Sequence, residues 1–203
     1  MNTKLWKRGI SAVLAILMCL AMGFRIPAHA ADSGSVVFDY AYDSNGESIK
    51  YNSGAEINRH YAGGEGHDRF RIYVDGEDAF CIQPGVSLHT GNTLTQSSDT
   101  WDALSSAQQD AIGLALLYGY QGNRANLSGS DGEIWVATQA LVWEFTVGSR
   151  SPEAPYTRLD TKIYDLFFGE NYPNTGTEAV YQQIVSLLAR HKILPSFVNG
   201  TTV

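Results

Sequence analysis

The chain has 203 residues, with 14 Lys+Arg against 21 Asp+Glu and a formal net charge of −7. That balance argues against nucleic acid and anionic membranes as partners, because both select for basic faces. With 44% hydrophobic residues and only two cysteines, the chain has material for one domain with a real core and no disulfide framework.

Residues 1–30 read as a secretory signal. Lys4, Lys7 and Arg8 precede an apolar run from Ile10 to Phe24, and Ala28-His29-Ala30 has the small-x-small pattern of a cleavage site. The apolar run is short for a membrane span of about 20 residues, and Arg25 and Pro27 interrupt its end. Removal of this segment takes four cations and Cys19 with it. What remains carries ten basic against 21 acidic residues, a net charge of −11, and one cysteine, Cys81. Exported proteins usually pair their thiols, so a lone cysteine points to a reactive group or to a cross-link of another kind. No membrane insertion is expected once the signal is gone.

The first half of the remainder has strand character. Ser35–Tyr42 is rich in Val, Phe and Tyr, and in 68–74 the residues Phe70, Ile72 and Val74 alternate with Arg69, Arg71 and Tyr73. Asp75-Gly76 supplies the two positive-φ positions of a tight hairpin. The return strand is expected over Glu77–Gln83, with Cys81 on it and Pro84-Gly85 ending it.

Helices follow. Ser106-x-x-Gln109 reads as a capping box opening a helix to Tyr118, which Gly119 ends; Gly122–Asp131 reads as a loop. Ser130-x-x-Glu133 is a second capping box, launching a helix from Ile134 to Phe145. A last amphipathic helix, Glu178–His191, aligns Val180, Tyr181, Ile184, Leu187 and Leu188. Residues 195–203 read as the start of a linker or a following domain, which leaves 31–194 as the domain proper.

On the Ser130-capped helix, Gln139 lies between Trp135 and Trp143, its neighbours at i−4 and i+4. A buried carboxamide without partners costs roughly 1 to 3 kcal/mol. Gln139 is therefore hydrogen-bonded, exposed or chemically altered.

The run Phe80-Cys81-Ile82-Gln83-Pro84-Gly85, followed downstream by Ala137-Thr138-Gln139-Ala140-Leu141-Val142-Trp143, resembles the thioester domain, or TQxA domain, of Gram-positive surface adhesins. The resemblance implies an α+β fold, with a β-sandwich or barrel-like sheet carrying Cys81 and a helical subdomain carrying Gln139. It further implies an internal thioester between the Cys81 thiol and the Gln139 side chain, formed without a cofactor. An adhesin of this kind is exported to the cell wall or surface and captures an amine, such as a lysine, on a host-surface or matrix protein. Each molecule reacts once, so the resemblance implies a covalent binder and not an enzyme. Trp135 and Trp143 would then shield the bond from water, or serve only as ordinary core packing.

Two rival readings remain at this stage: an exported hydrolase using Cys81 as nucleophile, and a non-covalent binding module with an inert thiol. Among His60, His67, His89 and His191, His89 is the nearest to Cys81 in sequence and is the candidate for proton transfer. No two histidines have the spacing of metal ligands on a helix, and no second cysteine survives signal removal, so no metal site is expected.

Overall fold

The computed structural model describes residues 33–52, 70–86, 89–95 and 98–191. The expected signal, residues 1–30, and the expected linker, 195–203, lie outside these residues, as do His60 and His67. The account below is of the unit Gly34–Val203.

The α+β expectation holds. Four strands form one sheet in the order β3-β2-β1-β4: β1 (Ser33–Tyr40), β2 (Phe70–Val74), β3 (Glu77–Ala79) and β4 (Thr93–Thr95). β1 runs antiparallel to β2 in the register Val36↔Val74 to Tyr40↔Phe70. Asp75 (φ 52°) and Gly76 (φ 86°) make the tight turn read from the sequence, and β3 returns along β2 with Ile72 opposite Ala79. β1 stops two residues before the expected Tyr42. There Asp43 folds the chain back, its Oδ1 accepting from the backbone N–H of Asn45 (2.8 Å) and Glu47 (2.9 Å), and Tyr42 keeps only an isolated bridge to Ser48.

The helices are α1 (Asp99–Asp102), α2 (Ser106–Tyr118), α3 (Tyr120–Asn123), α4 (Asp131–Val147), α5 (Lys162–Phe168) and α6 (Thr175–Ala189), with a 3₁₀ turn at Arg124–Asn126. The capping box of α2 sits one residue earlier than expected, on Ser105 and Gln108. Gln109 is otherwise engaged, its Nε2 donating to the Trp101 carbonyl at 2.8 Å. Gln108 has a second task as well: its Nε2 reaches the Phe145 carbonyl at 2.9 Å and ties α2 to the end of α4. The stretch read as a loop, Gly122–Asp131, is partly helical, because α3 and the 3₁₀ turn occupy its first half. α6 starts at Thr175, before the expected Glu178, and buries Val180, Tyr181, Ile184 and Leu188.

α4 is the axis of the helical half. Its capping box is the one expected, with Glu133 N–H donating to Ser130 Oγ (3.1 Å) and Ser130 N–H to Glu133 Oε2 (2.6 Å). Gly148, in the left-handed region, closes it. Every residue from Gly132 to Phe145 is buried, because α2, α5 and α6 pack around it and β2 touches it from the sheet. A helix buried on all sides needs partners for each polar side chain it carries. At its C-terminal end Glu144 finds them in Arg150, whose Nε donates to Glu144 Oε2 at 2.5 Å, and in the Tyr181 hydroxyl, 2.8 Å from Oε1. Arg150 also donates to the Tyr156 carbonyl and to the Tyr181 hydroxyl, both at 2.5 Å. Burial pushes Glu144 and Tyr181 up, while Arg150 pulls both the other way.

Arg150→Ala would leave the Glu144 carboxyl without its cation inside the core. A loss of about 3 to 5 kcal/mol in denaturant unfolding is expected, and a loss under ~1 kcal/mol would show that the ion pair is dispensable.

Candidate functional site

Cys81 lies just past the sheet. β3 ends at Ala79, two residues before Cys81, which corrects the expected strand over Glu77–Gln83. The register explains the early stop. Carried on by two residues, the ladder would set Cys81 opposite Phe70, but the backbone edge of Cys81 is taken by a side chain. Its N–H donates to Gln139 Oε1 at 2.8 Å, and Gln139 Nε2 donates to its carbonyl at 2.8 Å. The Gln139 carboxamide thus stands in for a strand partner.

Gln139 sits mid-way along α4 and is 2% exposed, so its amide is buried and satisfied by this pairing. Trp143, one turn on, donates its indole Nε1–H to the same Cys81 carbonyl at 2.8 Å. That carbonyl therefore accepts from two side chains of one helix.

Aromatic rings wall the pair on both sides. Trp135 stacks on Phe80, the residue before Cys81, with centroids 5.2 Å apart and planes 17° from parallel. Trp143 stacks on Tyr51 at 6.1 Å and 5°, and meets the edge of Phe167 at 5.6 Å. Both tryptophans are buried. They differ in their polar atom, since Trp135 Nε1 has no hydrogen-bond partner among the described residues.

Thr138 braces the site from behind. Its hydroxyl donates to the Ile134 carbonyl (2.8 Å) and accepts the Tyr120 N–H (3.0 Å). This fixes the start of α3 against α4, and a Cβ at Gly119 would collide with the same hydroxyl. The Tyr120 ring packs edge-on to Phe80, and its hydroxyl accepts from Arg71 of β2 and Arg124. Thr138 is thereby linked through Tyr120 to β2 and to Phe80, the residue between β3 and Cys81.

Burial pushes the Cys81 thiol up, with the Gln83 N–H and the Trp143 indole N–H acting in the opposite direction. Sγ is therefore a protonated thiol at neutral pH, unlike the lowered thiols of cysteine hydrolases. His89 is exposed; its backbone N–H donates to Asn92 Oδ1 at 2.8 Å, and among the described residues no hydrogen bond joins it to Cys81 or Gln139. His191 is engaged with the Tyr118 hydroxyl at 2.8 Å. No cluster of three His, Cys, Asp or Glu side chains suited to a metal occurs among the described residues. A polar cleft of about 730 Å³ lies elsewhere, lined by Asp43, Lys50, Glu133, Tyr172 and Asn174 among others, and the Cys81–Gln139 pair does not border it.

A family model of the thioester domain matches residues 78–188, more than half of the chain. The chain belongs to the thioester-domain family. The matched span of this thioester domain begins in β3 and ends in α6, and so contains Cys81, Gln139, both flanking tryptophans and the Thr138 brace. Comparison with curated proteins and with solved structures finds no match. Among the described residues, no helix is long and apolar enough to cross a membrane.

The sequence singled out Cys81, Gln139, Trp135 and Trp143, and the structure gathers all four around one helix face and one hairpin. Phe80, Tyr51, Tyr120 and Thr138 were not singled out as site residues. Thr138 and Phe80 stand next to the two key residues in the chain, which is the one signal that could have found them. Tyr51 and Tyr120 have no local mark, and only the tertiary fold brings them here.

In a Gln139→Ala chain Cys81 stays a thiol, so its titration can be followed by alkylation with iodoacetamide. Half-maximal rate is expected above about pH 8.5, the ordinary thiol value, and a midpoint at or below pH 8 would contradict the raised pKa. The sign for stability follows from the same shift. The folded thiol holds its proton more tightly than the unfolded one, so this contribution is intact below about pH 8.5 and is lost as pH rises through the folded value.

Proposed function

We propose that Cys81 Sγ and Gln139 Cδ close an internal thioester, and that this bond captures an amine on a partner protein. The observation that carries the reading is the two-way pairing of the Gln139 carboxamide with the Cys81 peptide. It holds the reacting groups together on a hairpin end and a packed helix, and membership of the thioester-domain family supports the same pairing.

The step balances without an outside reagent. Sγ adds to Cδ, and the carbonyl electron pair moves onto Oε1, where the Cys81 N–H already donates a hydrogen bond. Collapse of this adduct breaks the Cδ–Nε2 bond, and ammonia leaves with the thiol proton. A preorganised donor on the developing oxyanion is usually the largest electrostatic term in acyl transfer. Orientation supplies the rest: effective molarities of roughly 10⁵ to 10⁸ M are available when reacting groups are held in attack geometry. The raised thiol pKa slows thiolate formation, so the reaction depends on this placement more than on an activated sulfur.

A thioester gains less resonance from sulfur than an amide does from nitrogen, so a lysine Nζ can attack Cδ. The Cδ–Sγ bond breaks, Sγ takes up the proton the amine loses, and a stable amide remains on Gln139. Water would waste the bond, and the Trp135–Phe80 and Trp143–Tyr51 stacks exclude it. The acidic composition favours a target lysine in basic surroundings. Export to the cell surface, attachment to the wall, and a host-surface or matrix protein as target complete the reading of an adhesin module. Each molecule reacts once. A hydrolase is disfavoured by the raised thiol and by the exposed position of His89.

Intact mass of the purified chain is expected to be one ammonia short, and methylamine should raise it by one methylamine. A full-length mass with a freely titrating thiol would sink the proposal.

The cross-link closes a loop of about 60 residues, worth about 4 kcal/mol in the chain-entropy estimate. Cys81→Ala and Gln139→Ala are each expected to abolish covalent capture and to lower the melting temperature by several degrees. Melting identical to the parent in both variants would mean that the parent is not cross-linked.

A further inference from the structure

We propose that the Trp143 indole N–H is a positioning group for thioester formation: it keeps the Cys81 carbonyl hydrogen-bonded after the Gln139 amide nitrogen has left. This rests on the thioester reading above and assigns Trp143 a task distinct from shielding.

The argument comes from the donors on one oxygen. The Cys81 carbonyl accepts from Gln139 Nε2 and from Trp143 Nε1, each at 2.8 Å. Thioester formation expels Nε2 as ammonia, so one of the two donors disappears in the reaction itself. A carbonyl held against a buried helix and stripped of its partner opposes the step that strips it. Trp143 removes that opposition, because its donor is not part of the leaving group. Its ring is clamped by Tyr51 and Phe167, so the N–H stays in place while the neighbouring amide is lost.

The contrast with Trp135 sharpens the assignment. Both tryptophans flank Gln139 and both stack on an aromatic, but among the described residues Trp135 Nε1 donates to nothing. Loss of the indole nitrogen at constant ring area should therefore matter at 143 and not at 135.

The test uses Trp143→Phe and Trp135→Phe in the full chain, equilibrated across graded ammonium concentrations, with open and cross-linked forms counted by intact mass. Ammonium reverses the closing step, so its half-opening concentration reports the closing equilibrium. For Trp143→Phe this midpoint is expected to fall at least about 5-fold, with about 150-fold as the ceiling set by a fully buried, unsatisfied acceptor, while Trp135→Phe stays near the parent. The same two changes in a Cys81→Ala background, where no cross-link can form, report the purely structural cost by melting. An unchanged midpoint in a folded Trp143→Phe chain, or an equal fall at Trp135, overturns the proposal. Should Trp143→Phe fail to fold, hydrogen exchange of the Trp143 indole in the cross-linked parent decides: protection supports the role, and exchange as fast as an exposed indole overturns it. A parent of full mass would sink the thioester reading itself, a result distinct from either.

Discussion

The pairing of one carboxamide with one peptide organises this domain. Gln139 brings a strand-like hydrogen-bonding edge to the middle of a buried helix, and Cys81 docks on it as a further residue of a sheet would. The hairpin end, the aromatic walls and the Thr138 brace all act on the position of that contact. The same device occurs a second time: Asn52 Nδ2 donates to the Tyr172 carbonyl and Asn52 Oδ1 accepts the Tyr172 N–H, both at 2.7 Å. There it joins two segments and can do no chemistry, since tyrosine offers no thiol to the amide carbon. The pairing alone is a structural fastener, and in the proposed thioester the sulfur on the paired residue would give it a reactive use.

Housing such a contact places demands on α4. Complete burial holds Gln139 still and excludes water, but it also desolvates every polar group on the helix. Glu133 is satisfied at the N-terminus by the cap and by the Ser44 hydroxyl at 2.5 Å, Thr138 by its own turn and Tyr120, and Glu144 by Arg150 and Tyr181. Each of these partners comes from a different segment. The helix is therefore anchored at both ends and in the middle by polar contacts, and packing fills the rest.

Much of this was legible in the sequence because it is local. The Ser130–Glu133 box, the Asp75-Gly76 turn and the Val180–Leu188 face follow from residue types at fixed spacing, and the structure has them. The slips have physical causes. Two adjacent serines and two adjacent glutamines made the Ser105 and Ser106 boxes equivalent in pattern, and the choice was made by what Gln108 and Gln109 reach in three dimensions. Cys81 was assigned to a strand because its neighbours alternate, yet a side chain 58 residues away claimed its hydrogen bonds. α5 is a seven-residue helix whose apolar residues, Ile163, Leu166, Phe167 and Phe168, give a run too short for periodicity to declare itself. The family likeness pointed to Cys81 and Gln139; the different bonding of the two indole nitrogens needed the tertiary fold, because both tryptophans look alike in the chain.

The location of Gln139 has a mechanical consequence. In the proposed reaction the captured amine ends on the glutamine carbon, and Cys81 is released. Tension on the captured partner would then enter the domain through the centre of α4, its most buried helix, and not through the hairpin at the edge of the sheet. Pulling there loads a rod held at both ends, so force would be shared between the Ser130 cap and the Arg150 clamp before any strand is peeled. A tether of this design places its anchor point in the part of the molecule that is hardest to extract.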